Sequence, residues 1–214
     1  MAPASPPSSR FAANLARLRE RLARVDREVA IVAVTKGRSV DQCREAAAAG
    51  LPLGENRVGE ALAKLHALPA AEWHLIGHLQ ANKVGRAAGR FALIQSLDSE
   101  RLAELIASRA PGQAVLVEVN VSREAAKHGV APPAASELCA SALRAGLDVR
   151  GLMCVGPLHS DPRPAFLELA RLREDAQQRL GRPLPLLSMG MTDDYEAALD
   201  CGSTMLRIGR ALFA

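Results

Sequence analysis

The stretch AVLVEVNV at residues 114–121 is apolar at all but two of its positions. A half-exposed strand alternates apolar and polar residues, whereas a nearly continuous apolar run is typical of a parallel strand that is covered on both faces. The stretch therefore predicts a parallel sheet with helices packed against it.

Short apolar runs of the same kind recur along the chain, and helical patterns rich in Ala, Leu, Glu and Arg follow nearly all of them. We predict strands at 31–36, 51–55, 73–77, 92–97, 114–121, 149–155, 184–189 and 205–208. About eight strand–helix units favour an α/β fold with a single (β/α)8 TIM barrel over an open, doubly wound sheet.

Two segments precede the first predicted strand. Residues 1–9, MAPASPPSS, have no basic start and no apolar stretch of secretory length, so we expect a disordered tail. Residues 11–27 place Leu15, Leu18, Leu22 and Val25 at spacings of three and four, which predicts an extra amphipathic helix. The predicted organisation is a tail at 1–9 and one barrel domain at 10–214.

The composition is that of a globular protein, with 49% hydrophobic and 23% charged residues and a net charge of +4 spread along the chain. No apolar run approaches the roughly 20 residues that span a bilayer, so we expect no membrane partner. One Trp, one Tyr and four Phe offer little base stacking, which argues against nucleic-acid binding.

Four cysteines, none of them in a C-x-x-C pair, lie inside apolar or helical stretches: Cys43, Cys139, Cys154 and Cys201. This usage predicts reduced, packed thiols and a cytoplasmic location.

Lys36 ends the first predicted strand, and in a TIM barrel the carboxyl ends of the strands carry the functional residues. A lysine in this position can simply reach solvent. It can also be partly desolvated, which lowers its pKa and frees the amine to attack a carbonyl and form a Schiff base. The position alone fits both interpretations.

The sequence SMGMT at 188–192 follows the seventh predicted strand, with a helix predicted to begin near Asp193. A glycine in such a turn lets the backbone approach a phosphate, but Asp193 and Glu196 also fit a helix capping box. Arg207 ends the eighth strand and points either into the barrel mouth or into a surface ion pair. Closure of the barrel would make the ends of strands seven, eight and one neighbours.

Seven stretches in the same order resemble the YggS/PROSC family of pyridoxal phosphate homeostasis proteins. They are AVTK (33–36), GEN (54–56), WHLIGHLQANK (73–83), VNVSREAAKHG (119–129), RGLM (150–153), SMGMTDDYEAA (188–198) and STMLRIG (203–209). The resemblance implies an alanine racemase-like barrel of fold type III that binds pyridoxal 5'-phosphate (PLP).

The resemblance also implies which residues contact the cofactor. Lys36 would form the Schiff base with the aldehyde, Asn56 would line the cofactor, and Arg207 would face the pyridine nitrogen. His74 and Met153 would lie along the ring. The phosphate cradle would use backbone N–H groups of Ser188, Met189, Gly190 and Gly209.

Two positions depart from the family pattern. Arg210 stands where a Thr or Ser hydroxyl often binds phosphate, and its guanidinium offers a charge contact in place of that hydrogen bond. Arg57 stands where a Tyr often follows GEN. Both departures predict a more basic site.

The expected chemistry favours binding of the cofactor over PLP-dependent catalysis on amino acids. A guanidinium opposite the pyridine nitrogen leaves that nitrogen unprotonated, which makes the ring a poor electron sink and favours proton exchange at Cα. Amino-acid racemisation is therefore the enzymatic alternative. Alanine racemases take a second base, a tyrosine, from another domain, whereas this sequence stops soon after strand eight and its sole tyrosine is Tyr195.

We therefore expect a protein of intracellular PLP homeostasis, without robust catalysis, that holds, buffers or delivers PLP. We expect a monomer, with PLP-dependent apo-enzymes as candidate recipients.

No metal site is predicted. His74 and His78 share a strand face, but WHLIGH supplies no Cys, Asp or Glu at ligand spacing, and His66, His128 and His159 are scattered along the sequence.

Overall fold

The computed structural model describes residues 9–214. Eight parallel strands close into a barrel in sequence order. They are β1 (Ala30–Val34), β2 (Leu53–Glu55), β3 (Trp73–Leu75), β4 (Leu93–Leu97), β5 (Ala114–Glu118), β6 (Asp148–Met153), β7 (Leu186–Ser188) and β8 (Met205–Ile208). The predicted TIM barrel is confirmed.

Helices surround this barrel and connect its strands. Within residues 9–214 they are α1 (Arg10–Leu22), α2 (Val40–Ala48), α3 (Val58–Ala67), α4 (Val84–Ala87), α5 (Glu100–Arg109), α6 (Ala135–Arg144), α7 (Arg163–Leu180), α8 (Tyr195–Asp200) and α9 (Arg210–Phe213). Short 3₁₀ turns at Ala81–Lys83 and Pro132–Ala134 lead into α4 and α6. None of the described helices is long and apolar enough to cross a membrane.

The barrel has two separate apolar layers, which explains the continuous apolar character of AVLVEVNV. Leu116 lies inside the barrel with Val32, Leu93, Met153 and Met205. Its neighbours Val115 and Val117 belong to the larger core between the sheet and the helices. Because side chains alternate between the two faces of a strand, both sets of positions must be apolar.

Most predicted strands extend too far at their carboxyl ends. The first ends at Val34 rather than residue 36, and the fifth ends at Glu118 rather than residue 121. Beyond Glu118 the chain turns, with Val121 N donating to Val119 O over 3.0 Å. Apolar character continues past the point where the ladder of hydrogen bonds stops, because Val119 and Val121 are buried in the core between the sheet and the helices.

The extra N-terminal helix is present but ends at Leu22, five residues before the predicted end. Residues 23–27 turn instead, and the Arg27 guanidinium donates to the carbonyl oxygens of Leu199 and Ser203. Ser9 caps α1, with its Oγ accepting from Ala12 N over 3.1 Å. Apart from Ser9, the tail predicted at 1–9 lies outside the described residues.

Helix α1 also joins the two ends of the chain. The Phe11 and Phe213 rings lie 5.2 Å apart, and Asn14 Nδ2 donates to Leu212 O over 3.1 Å. These contacts reinforce the β1–β8 pairing that closes the barrel.

Candidate functional site

The β1–β8 pairing brings the chain's first and last functional stretches together. Val32 of β1 is in register with Arg207 of β8, so the turn containing Lys36 and the turn containing Gly209 leave the barrel side by side. Arg207 N also donates to Gly190 O over 3.0 Å, which adds the turn after β7 to the same part of the mouth.

Lys36 differs from the other three lysines of the chain. Its side chain is exposed at the barrel mouth, and it makes no hydrogen bond or ion pair with residues 9–214. Lys64 is buried, while Lys83 and Lys127 are half-buried. The one exposed lysine thus stands at the carboxyl end of β1 with its amine unengaged.

Lys64 and Glu60, which the sequence analysis did not single out, fix the residues on either side of Lys36. Lys64 Nζ donates to Thr35 O over 2.7 Å and to Glu60 Oε1 over 2.8 Å. Glu60 Oε1 in turn accepts from Gly37 N over 2.7 Å. The i, i+4 spacing of Glu60 and Lys64 on one helix was the available signal.

Glu55 completes this assembly behind the sheet. Its Oε1 accepts from Lys64 Nζ over 2.7 Å and from Thr35 Oγ1 over 2.6 Å, and all three side chains are buried. Glu55 therefore serves the backbone around Lys36, while the next residue, Asn56, faces the mouth.

Asn56 and Arg57 stand beside Lys36. A cavity of about 400 Å³ is lined by Lys36, Gly37, Asn56, Arg57 and Glu60. Asn56 also lines a second mouth cavity, so its predicted place beside a bound cofactor fits its position. Arg57 lines the same cavity, and its predicted contribution to a more basic cofactor site stays a prediction.

Arg207 is buried at the floor of the mouth. Its Nη1 donates to Ser188 Oγ and its Nη2 to Cys154 O, both over 2.7 Å. Burial lowers the pKa of this guanidinium, while Cys154 and Glu118 nearby oppose that shift. Two of its five N–H donors thus have partners among the described residues, and the group can offer others to a ligand atom.

His74 and Ser188 belong to one chain of buried hydrogen bonds. Ser188 Oγ donates to Gln95 Oε1 over 2.7 Å, and Gln95 Nε2 lies 3.0 Å from His74 Nδ1. His74 Nε2 lies 3.0 Å from Glu72 Oε1, and this hydrogen bond lowers the pKa of the Glu72 carboxyl. Both ring nitrogens of His74 are engaged in this network, and its predicted contact with the cofactor ring stays a prediction.

Met153 and Met189 lie on opposite faces of the sheet. Met153 is fully buried among the interior side chains, and Met189 is fully buried in the layer between sheet and helices. Only the backbone of Met189 can serve a phosphate cradle. The role of Met153 along a ring stays a prediction.

The turn after β7 is built around Gly190, whose φ of +97° favours glycine. A Cβ there would lie 2.6 Å from Ala198 Cβ. Ala211 N donates to Thr192 Oγ1 over 3.3 Å, which ties this turn to the one after Gly209. The residues predicted for the phosphate cradle are therefore gathered around two adjoining turns.

The two aspartates beside these turns have partners. Asp194 Oδ1 accepts from Met191 N over 2.5 Å, and Asp193 pairs with Arg210 at the surface. The alternative interpretation of Asp193 and Glu196 as a capping box does not hold, because Asp194 occupies the N-cap position of α8 and Glu196 pairs with Arg21. Arg210 lies close enough to the turn to offset the charge of Asp193.

Glu118 is a buried carboxyl that the sequence analysis passed over. Burial raises its pKa to about 7; Arg207 opposes this shift and Asp98 adds to it. Its Oε2 has no hydrogen-bond partner among the described residues, and the side chain lines a mouth cavity of about 250 Å³. The available signal in the sequence was a carboxylic acid within the otherwise apolar strand AVLVEVNV, at a position that faces the barrel interior.

His78, Asp98 and His128 also meet at the mouth, although the sequence analysis treated the histidines as unrelated to any acid. His78 Nδ1 lies 3.1 Å from Asp98 Oδ2, and the His78 and His128 rings stack 3.9 Å apart. WHLIGH supplies no carboxylate by itself, but β4 brings one from the neighbouring strand. His74 and His78 take different partners.

The four cysteines are free and buried, as predicted. Burial raises the pKa of the Cys139 and Cys154 thiols to about 12, so these thiols are protonated at neutral pH. Cys139 and Cys154 are therefore poor candidates for nucleophiles.

Taken together, the mouth presents a free primary amine, a buried guanidinium, an amide and two adjoining turns. A free amine at the edge of a cavity can attack an aldehyde. Glycine turns at the ends of the last two barrel strands are where phosphate groups commonly bind in this fold. The donor set fits a phosphorylated aldehyde with a ring nitrogen.

Comparison with known proteins gives a consistent result. The family model described as alanine racemase, N-terminal domain, matches residues 8–214. A pyridoxal phosphate homeostasis protein of Deinococcus radiodurans is 41% identical over 212 residues, covering 94% of this chain and 98% of the relative. One of Aquifex aeolicus is 45% identical over 170 residues, covering 75% of each.

Solved structures that resemble the chain include a relative of similar sequence and a distant protein that shares only the fold. PipY of Synechococcus elongatus, solved without PLP, has a TM-score of 0.85 and 32% identity over 95% of this chain and all of that one. The same protein with PLP bound has a TM-score of 0.79. An alanine racemase of Clostridium difficile has a TM-score of 0.75 at 12% identity, with 95% of this chain matched to 59% of that one, which shows the fold alone. On this identity and coverage, the chain belongs to the pyridoxal phosphate homeostasis protein family, within the alanine racemase N-terminal domain fold.

Proposed function

We propose that this chain binds PLP at the barrel mouth and acts in PLP homeostasis, by holding, buffering or delivering the cofactor. The relatives that share 34–45% of its sequence are named for this role, and PipY has been solved with PLP bound. When bound, PLP supplies a reactive aldehyde that an amine can hold reversibly.

One observation carries this proposal. Lys36 is the exposed lysine of the four, and its amine stands unengaged at the mouth beside Asn56 and the β7–β8 turns. Lys64 and Glu60 hold the backbone on both sides of it, so the main chain that carries the amine is fixed before any ligand arrives. A lysine on a fixed backbone loses less freedom when it captures an aldehyde.

The other residues of the site would hold and orient the cofactor. Arg207 would donate to the pyridine nitrogen from the floor of the mouth. Gly190 and Gly209 would let the backbone approach the phosphate, and Ser188 would position Arg207 through its hydroxyl. Arg57 and Arg210 would add positive charge near the phosphate and the amine.

The test is to add PLP, reduce with borohydride and map the modified peptides. We expect one adduct, at Lys36, and its loss in Lys36→Ala. Lys83→Ala is the matched control and should be labelled like the natural sequence. Modification of Lys64, Lys83 or Lys127 in place of Lys36 would count against the proposal.

The racemase alternative makes a different demand, because racemisation needs a base on each face of the bound substrate. The sole tyrosine, Tyr195, begins α8 and packs against the outer core beside Glu196, outside the barrel interior. Turnover separates the two functions. We expect no enzymatic interconversion of D- and L-alanine with PLP present, and racemisation that Lys36→Ala abolishes would overturn the holding role.

We further propose that the protein works as a cytoplasmic monomer that delivers PLP to apo-enzymes. Four free, buried thiols suit a reducing compartment. Leu158 and Leu167 are the exposed large hydrophobic residues in the described part of the chain, and single exposed apolar side chains are normal on a monomer. Sedimentation should therefore give a mass near 22.7 kDa. A dimer mass would refute the monomer.

A further inference from the structure

We infer that His78, Asp98 and His128 form a binding site for one divalent transition-metal ion, of which zinc is the representative. One ligand atom from each residue lies within 4.8 Å of the other two. Two imidazoles and a carboxylate suit zinc and its neighbours among the first-row metals, whereas calcium and magnesium prefer oxygen ligands.

The three residues come from consecutive strands of the barrel. His78 follows β3, Asp98 follows β4, and His128 lies in the loop after β5. Strands β3, β4 and β5 adjoin one another. They lie on the side of the barrel away from β8, which carries Arg207, and from β1, which precedes Lys36. The metal site is therefore separate from the amine that the proposed function uses.

The spacing of the ligand atoms is close to what an ion requires. With zinc–ligand bonds of about 2.0–2.1 Å, tetrahedral ligands lie about 3.3 Å from each other. His78 Nδ1 and Asp98 Oδ2 are already 3.1 Å apart. The His128 ring lies parallel to the His78 ring within 8° and must turn to aim its nitrogen at a shared ion. Its exposed position allows this rotation.

Hydrogen bonds hold Asp98 and the backbone near the two histidines. Ser96 Oγ donates to Gly77 O over 2.7 Å and holds the residue before His78. Ser99 Oγ donates to Asp98 Oδ1 over 3.2 Å and leaves Oδ2 toward His78. Val130 N donates to Glu118 O over 2.8 Å, two residues after His128. Supporting contacts of this kind commonly orient metal ligands.

A second observation indicates a ligand at the same place. The cavity of about 250 Å³ that His78 and His128 line also contains Glu118, whose buried Oε2 has no partner among the described residues. Three protein ligands leave a tetrahedral ion one open position, which water can fill. A metal-bound water is a donor that could satisfy this oxygen. Lys127 lines the cavity too, but its amine is held by Glu124 and Gly156 O.

The experiment is a calorimetric titration of zinc chloride into untagged, metal-stripped protein without PLP. We expect one ion per chain. His78→Gln, Asp98→Asn and His128→Gln should each weaken binding by at least about tenfold, the scale on which even supporting contacts act. His66→Gln is the matched control, because His66 lies on α3 away from the cluster, and it should bind like the natural sequence.

Two further measurements keep the result interpretable. Circular dichroism should show the three ligand variants folded, and Co²⁺ in place of zinc should give the visible absorption of a low-symmetry nitrogen–oxygen site. Lys36→Ala should bind zinc normally, because Lys36 is not one of the ligands. Absence of zinc binding at micromolar concentration, or equal binding by His78→Gln and His128→Gln, would overturn the inference.

Discussion

At the scale of single residues, Glu118 gives the clearest pH dependence. Its pKa is raised from 4.5 to about 7 in the folded protein, chiefly by burial. The folded state therefore holds the proton more tightly than the unfolded chain. Below pH 4.5 the carboxyl is neutral in both states and costs nothing, and the penalty grows as pH rises through the folded pKa.

We predict that Glu118→Gln stabilises the cofactor-free protein by about 3 kcal/mol at pH 8 and by less than about 1 kcal/mol at pH 5. Denaturant unfolding at the two pH values measures the difference. Glu104→Gln is the control, because Glu104 is exposed on α5 and should show no such trend. A gain of equal size at both pH values would show that the carboxyl of Glu118 is ionised alike in both states.

Lys64 is the second residue whose environment makes a sharp prediction. Its removal leaves Glu55 fully buried without its cation and frees the backbone on both sides of Lys36. Breaking a buried ion pair from one side costs about 3–5 kcal/mol. We expect Lys64→Met to lower the free energy of unfolding by that amount and to weaken PLP binding, as measured by denaturant melts and absorbance titration.

Lys83→Met is the matched control for this experiment, since Lys83 is half-buried and forms no ion pair among residues 9–214. It should change neither measurement appreciably. Unaltered stability of Lys64→Met would mean that Glu55 takes up a proton at no cost.

At the scale of elements, the turn between β7 and α8 decides whether the phosphate cradle can form. Gly190 and Gly202 both have positive φ, at +97° and +91°. A Cβ on Gly202 meets nothing within 4 Å, whereas one on Gly190 meets Ala198 Cβ at 2.6 Å and Leu206 Cδ2 at 2.9 Å. The two glycines differ in packing and not in backbone conformation.

We therefore predict that Gly202→Ala costs about 1–2 kcal/mol, the backbone penalty alone. Gly190→Ala should cost more and should weaken PLP binding, because the turn must move to relieve the overlap. Thermal melts and PLP titration of both variants measure this. Equal losses in the two variants would place the whole effect in the backbone.

The existence and order of the elements could be predicted from periodicity, but their ends could not. The strand prediction at 149–155 corresponds to β6 at Asp148–Met153, and that at 184–189 to β7 at Leu186–Ser188. Hydrophobicity indicates burial, and a residue past the end of a strand, such as Val121, can be buried in the core without strand pairing. The helix prediction at 11–27 is too long for a related reason, because Arg27 is held by tertiary contacts and not by helical ones.

At the scale of the whole molecule, helix α1 stabilises the closure of the barrel. Phe11 is 5% exposed and packs against Phe213, so its truncation removes a contact between the two ends of the chain. We expect Phe11→Ala to cost about 3–5 kcal/mol. Leu158→Ala, at a side chain that is 71% exposed, should cost almost nothing. Denaturant unfolding compares them, and similar values would show that α1 contributes little to closure.

The sequence by itself determined the number and order of strand–helix units, the position of Lys36 after the first strand, and the glycine turn after the seventh. Each of these depends on residues close together in the chain, where periodicity and turn chemistry act directly. Only the tertiary structure decided that Arg207 bonds Ser188 and Cys154, that Glu118 is left with an unpartnered oxygen, and that Asp98 and His128 meet His78. Those contacts join residues on different strands, and they depend on the register and closure of the barrel, which local sequence patterns do not encode.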